Sequence, residues 1–140
     1  NNTDFVSHDD LKKWTNEGLI EYLGESDDVS HHIINSDCVI LLSYREGLPK
    51  SLLEASAIGR PLIASNVPGC RSIVKNKING YLCKLNDIND IYEKIINFIN
   101  LDFNDKIRMG HNANLLVKKE FNDDIVINKY LRIINQMINK

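Results

Sequence analysis

An α/β fold with a parallel sheet is the fold class that this 140-residue sequence predicts. Short apolar runs alternate with stretches of helical spacing, which is the order of repeated strand–helix–strand units. The apolar runs are continuous rather than alternating, which is typical of strands covered on both faces. The length suits one domain with its own core. We therefore expect a single domain over residues 1–140, with a three-layer arrangement of helices on both faces of the sheet.

Four apolar segments are predicted strands. The first covers residues 19–24 and ends at Gly24, and the second, residues 38–42, is a continuous and partly β-branched run. Two shorter runs at residues 61–65 and 80–83 complete the set.

Six helices are predicted from the spacing of apolar residues, at residues 9–16, 28–35, 51–58, 88–99, 106–119 and 125–138. Gly59 directly follows the third and suits a left-handed C-cap. Asp87 or Asn89 is placed to cap the fourth. The last helix carries one apolar stripe, which predicts core packing or contact with another domain: Ile127, Tyr130, Leu131, Ile134 and Ile138.

Composition and charge exclude several classes of protein. The formal net charge of −2 argues against a nucleic-acid binder, which usually has a basic face. Cys38, Cys70 and Cys83 are too few and too widely spaced for a disulfide framework, so we expect reduced thiols in a cytosolic protein. His31 and His32 lack a third ligand at a metal-binding spacing, so no metal site is expected. There is no signal-peptide pattern or membrane-length apolar run, and the abrupt start is expected of a piece of a longer protein.

The segment over residues 43–55 carries the chemistry of the sequence. It follows a predicted strand and enters a predicted helix, so it lies at the carboxyl edge of the sheet, where α/β proteins bind ligands. Gly47 lets a ligand approach the backbone, and Pro49 suits the first position of the helix. The amides of Lys50, Ser51 and Leu52 would then be unpaired first-turn donors, which attract phosphate.

Two carboxylates flank this predicted anion site. Glu46 lies on the loop, and Glu54 lies one or two turns into the helix. Carboxylates accept hydrogen bonds from vicinal hydroxyl groups. A phosphate-binding helix terminus between two such groups suits a nucleotide sugar, which carries a sugar, a diphosphate and a ribose.

The same segment resembles a known family. The spacing Glu46-x7-Glu54 is similar to the E-x7-E motif of retaining glycosyltransferases with the two-domain GT-B fold, most of all family 4, the group 1 glycosyltransferases. Three further blocks fit in order: residues 59–65, residues 68–71 and residues 79–82. The resemblance runs from about Leu19 to about Ile99 and implies a Rossmann-like C-terminal domain.

The resemblance implies a role for each matched position. Glu46 would contact donor-sugar hydroxyls near the reacting carbon, as the catalytic residue. Gly47, Leu48, Pro49 and Lys50 would hold the sugar, and the amides of Ser51 and Leu52 would hold the diphosphate. Glu54 would accept hydrogen bonds from the ribose, and Leu23 and Gly24 would face the base.

The resemblance also implies an activity and partners. Enzymes of this type transfer a hexose with retention and without a bound metal or cofactor, and a UDP-sugar is the expected donor. The acceptor would be a glycan or a lipid-linked glycan of bacterial polysaccharide biosynthesis, bound by an N-terminal domain that nothing in this sequence resembles. The complete enzyme would be cytoplasmic, peripheral at the inner membrane face, and this chain alone would be inactive.

The sequence departs from the family at its start. The C-terminal domain of relatives begins with two more strands and a helix, which carry an Arg and a Lys that grip the diphosphate. This chain lacks that block. In the family's sheet order the two strands lie between residues 19–24 and residues 38–42, so we expect exposed apolar edges.

Two other functions compete with this interpretation. One is a truncated, non-catalytic module that binds a nucleotide sugar or works only with a partner. The other is a different α/β nucleotide-binding protein, which the absence of P-loop and G-x-G-x-x-G fingerprints disfavours. At the level of single residues, Glu54 could be a solvated helix carboxylate and Glu46 a helix cap.

Overall fold

The computed structural model describes residues 6–138, and its centre is a three-stranded parallel sheet. The strands are β1 (Val39–Leu41), β2 (Leu62–Ser65) and β3 (Gly80–Cys83), in the order β1-β2-β3. Val39 pairs with Leu62, which in turn pairs with Gly80. The predicted α/β class and the last three predicted strands are therefore confirmed.

The described residues form seven helices: α1 (His8–Asn16), α2 (Ser30–Ile34), α3 (Lys50–Ile58), α4 (Pro68–Ile73), α5 (Ile88–Ile99), α6 (Phe103–Glu120) and α7 (Asp123–Ile138). Six of them correspond to predicted helices. Gly59 ends α3 in the left-handed conformation with φ of 86°, and the Asp87 side chain accepts the amide of Asp90 at the start of α5. The sequence did not predict α4, because six residues are too few to show helical spacing.

The predicted strand over residues 19–24 is wrong. This segment is irregular in the structure, and its apolar side chains are exposed: Leu19, Ile20, Tyr22 and Leu23. A strand needs a neighbour to accept and donate its backbone hydrogen bonds, and no described strand lies beside these residues. These residues therefore have the side chains of a strand but no neighbouring strand with which to form backbone hydrogen bonds.

The core lies on both faces of the sheet, as the three-layer prediction requires. Leu62 and Ala64 point to one face, where they pack with α2, α3 and α4. Ile63 points to the other face and packs with Phe98 of α5 and Met109 of α6. Alternate residues of β2 thus enter separate apolar clusters, which is the pattern of a central strand covered on both sides.

Glycine residues allow two close backbone approaches. A Cβ at Gly80 would lie 1.9 Å from the carbonyl oxygen of Leu62, so only glycine fits where β3 begins beside β2. A Cβ at Gly110 would lie 2.1 Å from the carbonyl oxygen of Gly59, where α6 crosses the C-terminal end of α3. These contacts set the spacing of the sheet and of the helix pair.

Two apolar surfaces are left open in the described residues. No strand lies on the outer edge of β1, and Ile40 there is 45% exposed. On α7 the whole predicted stripe is exposed, with Tyr130 and Ile138 at 65% and 74%. The core-packing interpretation of this stripe is therefore wrong, and its contact with another domain stays a prediction. None of the helices within residues 6–138 combines the length and apolarity needed to cross a bilayer.

Candidate functional site

Three loops meet at the carboxyl edge of the sheet. The loop after β1 covers residues 42–49 and leads into α3, and a short turn after β2 leads into α4. The loop after β3 leads into α5. Because the strands are parallel, all three loops lie on the same side, where α/β proteins bind ligands.

The backbone of the first loop is open to solvent around Gly47. A Cβ at Gly47 would meet no atom within 4 Å, so this face of the loop is free. Glu46 beside it is half-buried, whereas Leu48 is 54% exposed. A ligand can therefore reach the loop backbone without displacing described side chains.

Helix α3 begins at Lys50, one residue before the predicted range 51–58, and Pro49 does not take the first helical position expected of it. Pro49 is extended, with φ of −70° and ψ of 112°, and is the N-cap rather than the first helical residue. Its carbonyl accepts the Leu53 amide at 3.3 Å, which leaves the amides of Lys50, Ser51 and Leu52 without an acceptor among the described residues. The expected set of three free donors is present in spite of the shift. Their partial positive charge points to the carboxyl edge of the sheet.

The Glu54 carboxylate lies on the same helix, one turn beyond these amides. Its side chain is 35% exposed, and one oxygen lies 3.4 Å from the ammonium of Lys50. The Lys50 side chain is 88% exposed, and exposed pairs of this kind contribute little to stability. The carboxylate therefore remains available to a hydroxyl donor.

A short helix that the sequence did not predict supports the loop from behind. Gly69 of α4 lies against the backbone of Glu46 and Gly47, so close that a Cβ there would lie 2.4 Å from the Gly47 carbonyl oxygen. The neighbouring Cys70 is fully buried, and burial together with the negative charge of Glu46 raises the pKa of its thiol. Proline followed by glycine after a strand was the sequence signal for this contact.

The structure places some of the predicted site residues together at the carboxyl edge of the sheet and others in a separate segment. Glu46, Gly47 and the first turn of α3 lie in one continuous stretch at the carboxyl edge. Leu23 and Gly24 lie in the irregular segment between α1 and α2, with Leu23 53% exposed and Gly24 in the left-handed region. Their base-facing role stays a prediction.

A separate cleft of about 390 Å³ opens at the same edge of the sheet, on the side of α5. Its walls are mostly aliphatic, and its lining includes neither Glu46 nor Glu54: Leu42, Tyr44, Ser65, Leu85, Asn86, Ile88 and Ile91. Within residues 6–138, no group of three His, Cys, Asp or Glu side chains is placed to hold a metal ion.

Known proteins share both the sequence pattern and the fold. The family model described as "Glycosyl transferases group 1" matches residues 8–115. The N,N'-diacetylbacillosaminyl-diphospho-undecaprenol alpha-1,3-N-acetylgalactosaminyltransferase of Campylobacter jejuni is 29% identical over 127 residues, which cover 90% of this chain and 33% of that protein. The UDP-Gal:alpha-D-GlcNAc-diphosphoundecaprenol alpha-1,3-galactosyltransferase of Escherichia coli is 34% identical over 117 residues, with 76% of this chain and 30% of that protein covered.

The structural similarity extends over almost the whole chain. The crystal structure of Anabaena HepE in complex with UDP aligns with a TM-score of 0.80 over 92% of this chain and 35% of that chain, at 20% identity. This likeness identifies the fold as the C-terminal domain of the GT-B type. The chain spans about a third of the length of the curated relatives it matches.

The predicted resemblance to group 1 glycosyltransferases is thus confirmed. The family model covers well over half of the chain and contains the loop, α3 and α4. The protein belongs to the glycosyl transferases group 1 family.

Proposed function

We propose that this chain is the nucleotide-sugar-binding domain of a retaining glycosyltransferase of family 4, and that it binds a UDP-sugar donor. One observation carries the proposal. The three unpaired amides at the start of α3 lie between two carboxylates, Glu46 before the helix and Glu54 within it. An anion site with a hydroxyl-binding group on each side matches the chemical order of a nucleotide sugar.

The diphosphate would bind to the first turn of α3. The amides of Ser51 and Leu52 are free to donate, and the helix dipole adds favourable charge at this end. Leu52 is fully buried as a whole residue and Ser51 is exposed, so the Ser51 amide is the more accessible of the two donors. Burial of Leu52 also holds these donors in a fixed direction, because the core anchors the turn from beneath.

The donor sugar would lie over the loop before α3. Glu46 would accept hydrogen bonds from sugar hydroxyls near the reacting carbon, and the free backbone of Gly47 and Leu48 and the amide of Lys50 would hold the ring. Pro49 has no N–H, so its contribution is the extended turn that directs the next three amides. Glu54 would accept hydrogen bonds from the ribose, and Leu23 and Gly24 would face the base.

The chemical step would be electrostatic for the most part. As the bond between the sugar and the diphosphate breaks, negative charge develops on the leaving oxygen, next to the free amides of α3. Fixed donors stabilise such charge without having to reorganise. Glu46 would stabilise the positive charge that develops at the reacting carbon, and transfer would proceed with retention.

The relatives guide the proposed donor and acceptor. Two relatives are named for transfer to sugars on a diphospho-undecaprenol carrier, and the HepE structure contains UDP. We infer a bacterial glycan or lipid-linked glycan as acceptor, bound by an N-terminal domain of a longer enzyme. That enzyme would act in the cytoplasm, at the inner face of the membrane. This chain alone would have no catalytic activity.

Saturation-transfer NMR of the 140-residue chain against UDP, GDP and UDP-glucose tests the donor site. We expect signal on the ribose and base of UDP, lost in Glu54→Ala and kept in the control Glu120→Ala, whose carboxylate lies at the far end of α6. Equal signals from both variants would remove Glu54 from the site. A folded chain that gives no signal with any of the nucleotides would overturn donor binding by this chain.

A further inference from the structure

The N-terminal end of α4 lies directly against the backbone of Glu46 and Gly47. A Cβ built at Gly69 would lie 2.4 Å from the carbonyl oxygen of Gly47 and 2.5 Å from that of Glu46. Real Cβ atoms essentially never approach another atom closer than 3.0 Å. Any side chain at position 69 must therefore push the loop or α4 away.

The two sides of this loop differ sharply. On the α4 side, Gly69 fills the space so completely that a methyl group does not fit. On the other side, a Cβ at Gly47 would meet nothing within 4 Å. At Gly47 the loop is thus packed on its α4 side and open on the other, and this open side is the one that a ligand would occupy, whereas Pro49 further along the loop is buried.

The helix α4 is itself firmly held, so it is a rigid support. Cys70 and Ile73 are fully buried in the cluster that includes Leu52 of α3. The Arg71 guanidinium donates to the carbonyl oxygen of Asn66 at 2.9 Å and to its side-chain oxygen at 3.2 Å, which ties the helix to the end of β2. A change at position 69 will therefore displace the loop, which is exposed at Gly47, more easily than the packed helix.

We propose that Gly69 is a positioning residue that sets the height of the donor-sugar loop, Glu46 to Lys50, above the sheet. The inference rests on the proposed function, since it takes this loop to hold the sugar. It adds a selective consequence. The sugar contacts depend on Gly69, whereas the diphosphate and ribose contacts lie on α3, which the core anchors through Leu52 and Ala55.

The test compares two alanine substitutions that create the same kind of clash at opposite ends of α3. Gly69→Ala acts on the loop, and the control Gly110→Ala acts on the carbonyl oxygen of Gly59 at the C-terminal end. Dissociation constants for UDP and for UDP-glucose are measured by calorimetry on the 140-residue chain and both variants. In Gly69→Ala we expect UDP binding within about threefold of wild type and UDP-glucose binding weaker by about tenfold or more, because a loop shift of a fraction of an ångström misplaces the sugar contacts. Gly110→Ala should leave the ratio of the two constants unchanged, even if it melts at a lower temperature.

Three results would overturn the inference. One is a Gly69→Ala chain in which the ratio of the dissociation constants for UDP-glucose and UDP equals that of wild type. Another is an equal change of this ratio in Gly69→Ala and Gly110→Ala. If Gly69→Ala does not fold, Arg71→Ala replaces it, because Arg71 is exposed and its loss only loosens α4. The third contrary result is then an Arg71→Ala chain in which the dissociation constant for UDP-glucose, divided by that for UDP, does not rise by about twofold.

A ligand-free measurement separates this inference from the proposed function. The backbone amide shifts of Glu46 and Gly47 should move in Gly69→Ala and stay in place in Gly110→Ala. If the wild-type chain binds neither UDP nor UDP-glucose, the proposed donor site fails, and these shifts alone decide whether Gly69 positions the loop.

Discussion

The side-chain amide of Asn79 donates to the carbonyl oxygen of Ile73 at 2.9 Å, across the turn that joins α4 to β3. The side-chain carbonyl oxygen of Asn79 accepts a hydrogen bond from the backbone amide of Lys75 at 2.7 Å, and Asn79 is fully buried. Asn79 and Gly80 begin the block over residues 79–82 that resembles the glycosyltransferase family. In this structure the block has a structural task, because it fixes the entry of β3 beside β2.

Replacing Asn79 by alanine should therefore destabilise the protein without touching the donor site. The buried carbonyl of Ile73 and the part-buried amide of Lys75 would lose their partner, at a cost of about 2 to 4 kcal/mol together. Thermal melting should show a fall of roughly 7 to 14 °C, whereas the exposed control Asn89→Ala should melt close to wild type. An unchanged melting temperature in Asn79→Ala would mean that water replaces both bonds.

The two site carboxylates should matter for turnover and little for folding. In the complete enzyme, Glu46→Ala and Glu54→Ala should each lower kcat/KM by about 100-fold or more, the loss typical when one preorganised group is removed. Glu54→Ala should act mainly through the KM for the donor and Glu46→Ala mainly through kcat, since the first is proposed at the ribose and the second at the reacting carbon. Near-wild-type turnover in both variants would contradict the proposed function.

Acid stability should depend on Asp90, which ties α5 to the end of β3. One oxygen of Asp90 accepts the Lys84 amide at 2.8 Å, and the other lies 3.1 Å from the Lys94 ammonium. The Lys84 hydrogen bond first, and then the bond and charge of Lys94, hold the pKa of Asp90 below its usual value. The stability gained from this lowered pKa is fully present when the pH is above the pKa of aspartate in the unfolded chain, about 3.9. It is lost as the pH falls through the lower pKa of Asp90 in the folded chain.

Urea unfolding between pH 6 and pH 2.5 measures this contribution. The free energy of unfolding of wild type should decrease as the pH is lowered beyond about 4. In Asp90→Asn the free energy of unfolding should be lower at pH 6 and should decrease less steeply with falling pH. Asp27→Asn is the control, since Asp27 is exposed and should keep the wild-type slope. Identical slopes in wild type and Asp90→Asn would show that other carboxylates dominate acid unfolding.

The cysteines should report on native packing. Burial raises the pKa of all three thiols, with that of Cys38 raised to about 12 by burial and then by the charge of Asp37. Because the thiolate is the reacting form, labelling of Cys38 at pH 8 should be about a thousandfold slower than that of a free thiol. Three thiols should react rapidly once urea unfolds the chain, and rapid labelling of the folded chain would contradict the packing described.

Local patterns predicted much of this architecture correctly. The runs at residues 38–42, 61–65 and 80–83 became the three strands, with the apolar residues of β2 and most of β3 buried and β1 at the half-exposed edge. Gly59 and Asp87 act at helix ends as expected, since a cap depends on a few neighbouring residues. The free amides at the start of α3 were also predictable, because every helix leaves its first donors unpaired.

Features that depend on distant residues were not predictable. Residues 19–24 have the composition of a strand, yet a strand exists only where a neighbour completes its hydrogen bonds, and none of the described strands does so. The stripe on α7 has the spacing of a core helix, but spacing does not say whether anything covers it, and its side chains are exposed. In both cases the missing information was the position of another part of the chain.

The sequence by itself determined the fold class, the family and the order of chemical groups from Glu46 to Glu54, because these follow from residue type and spacing along one stretch of chain. Only the tertiary structure decided that Gly69 supports this stretch from behind, that Asn79 serves the fold, and that Pro49 caps the helix instead of starting it. The physical reason is that the Gly69 contact joins segments distant in sequence, and that the burial of Asn79 and the backbone angles of Pro49 are settled only when strands pair and helices pack.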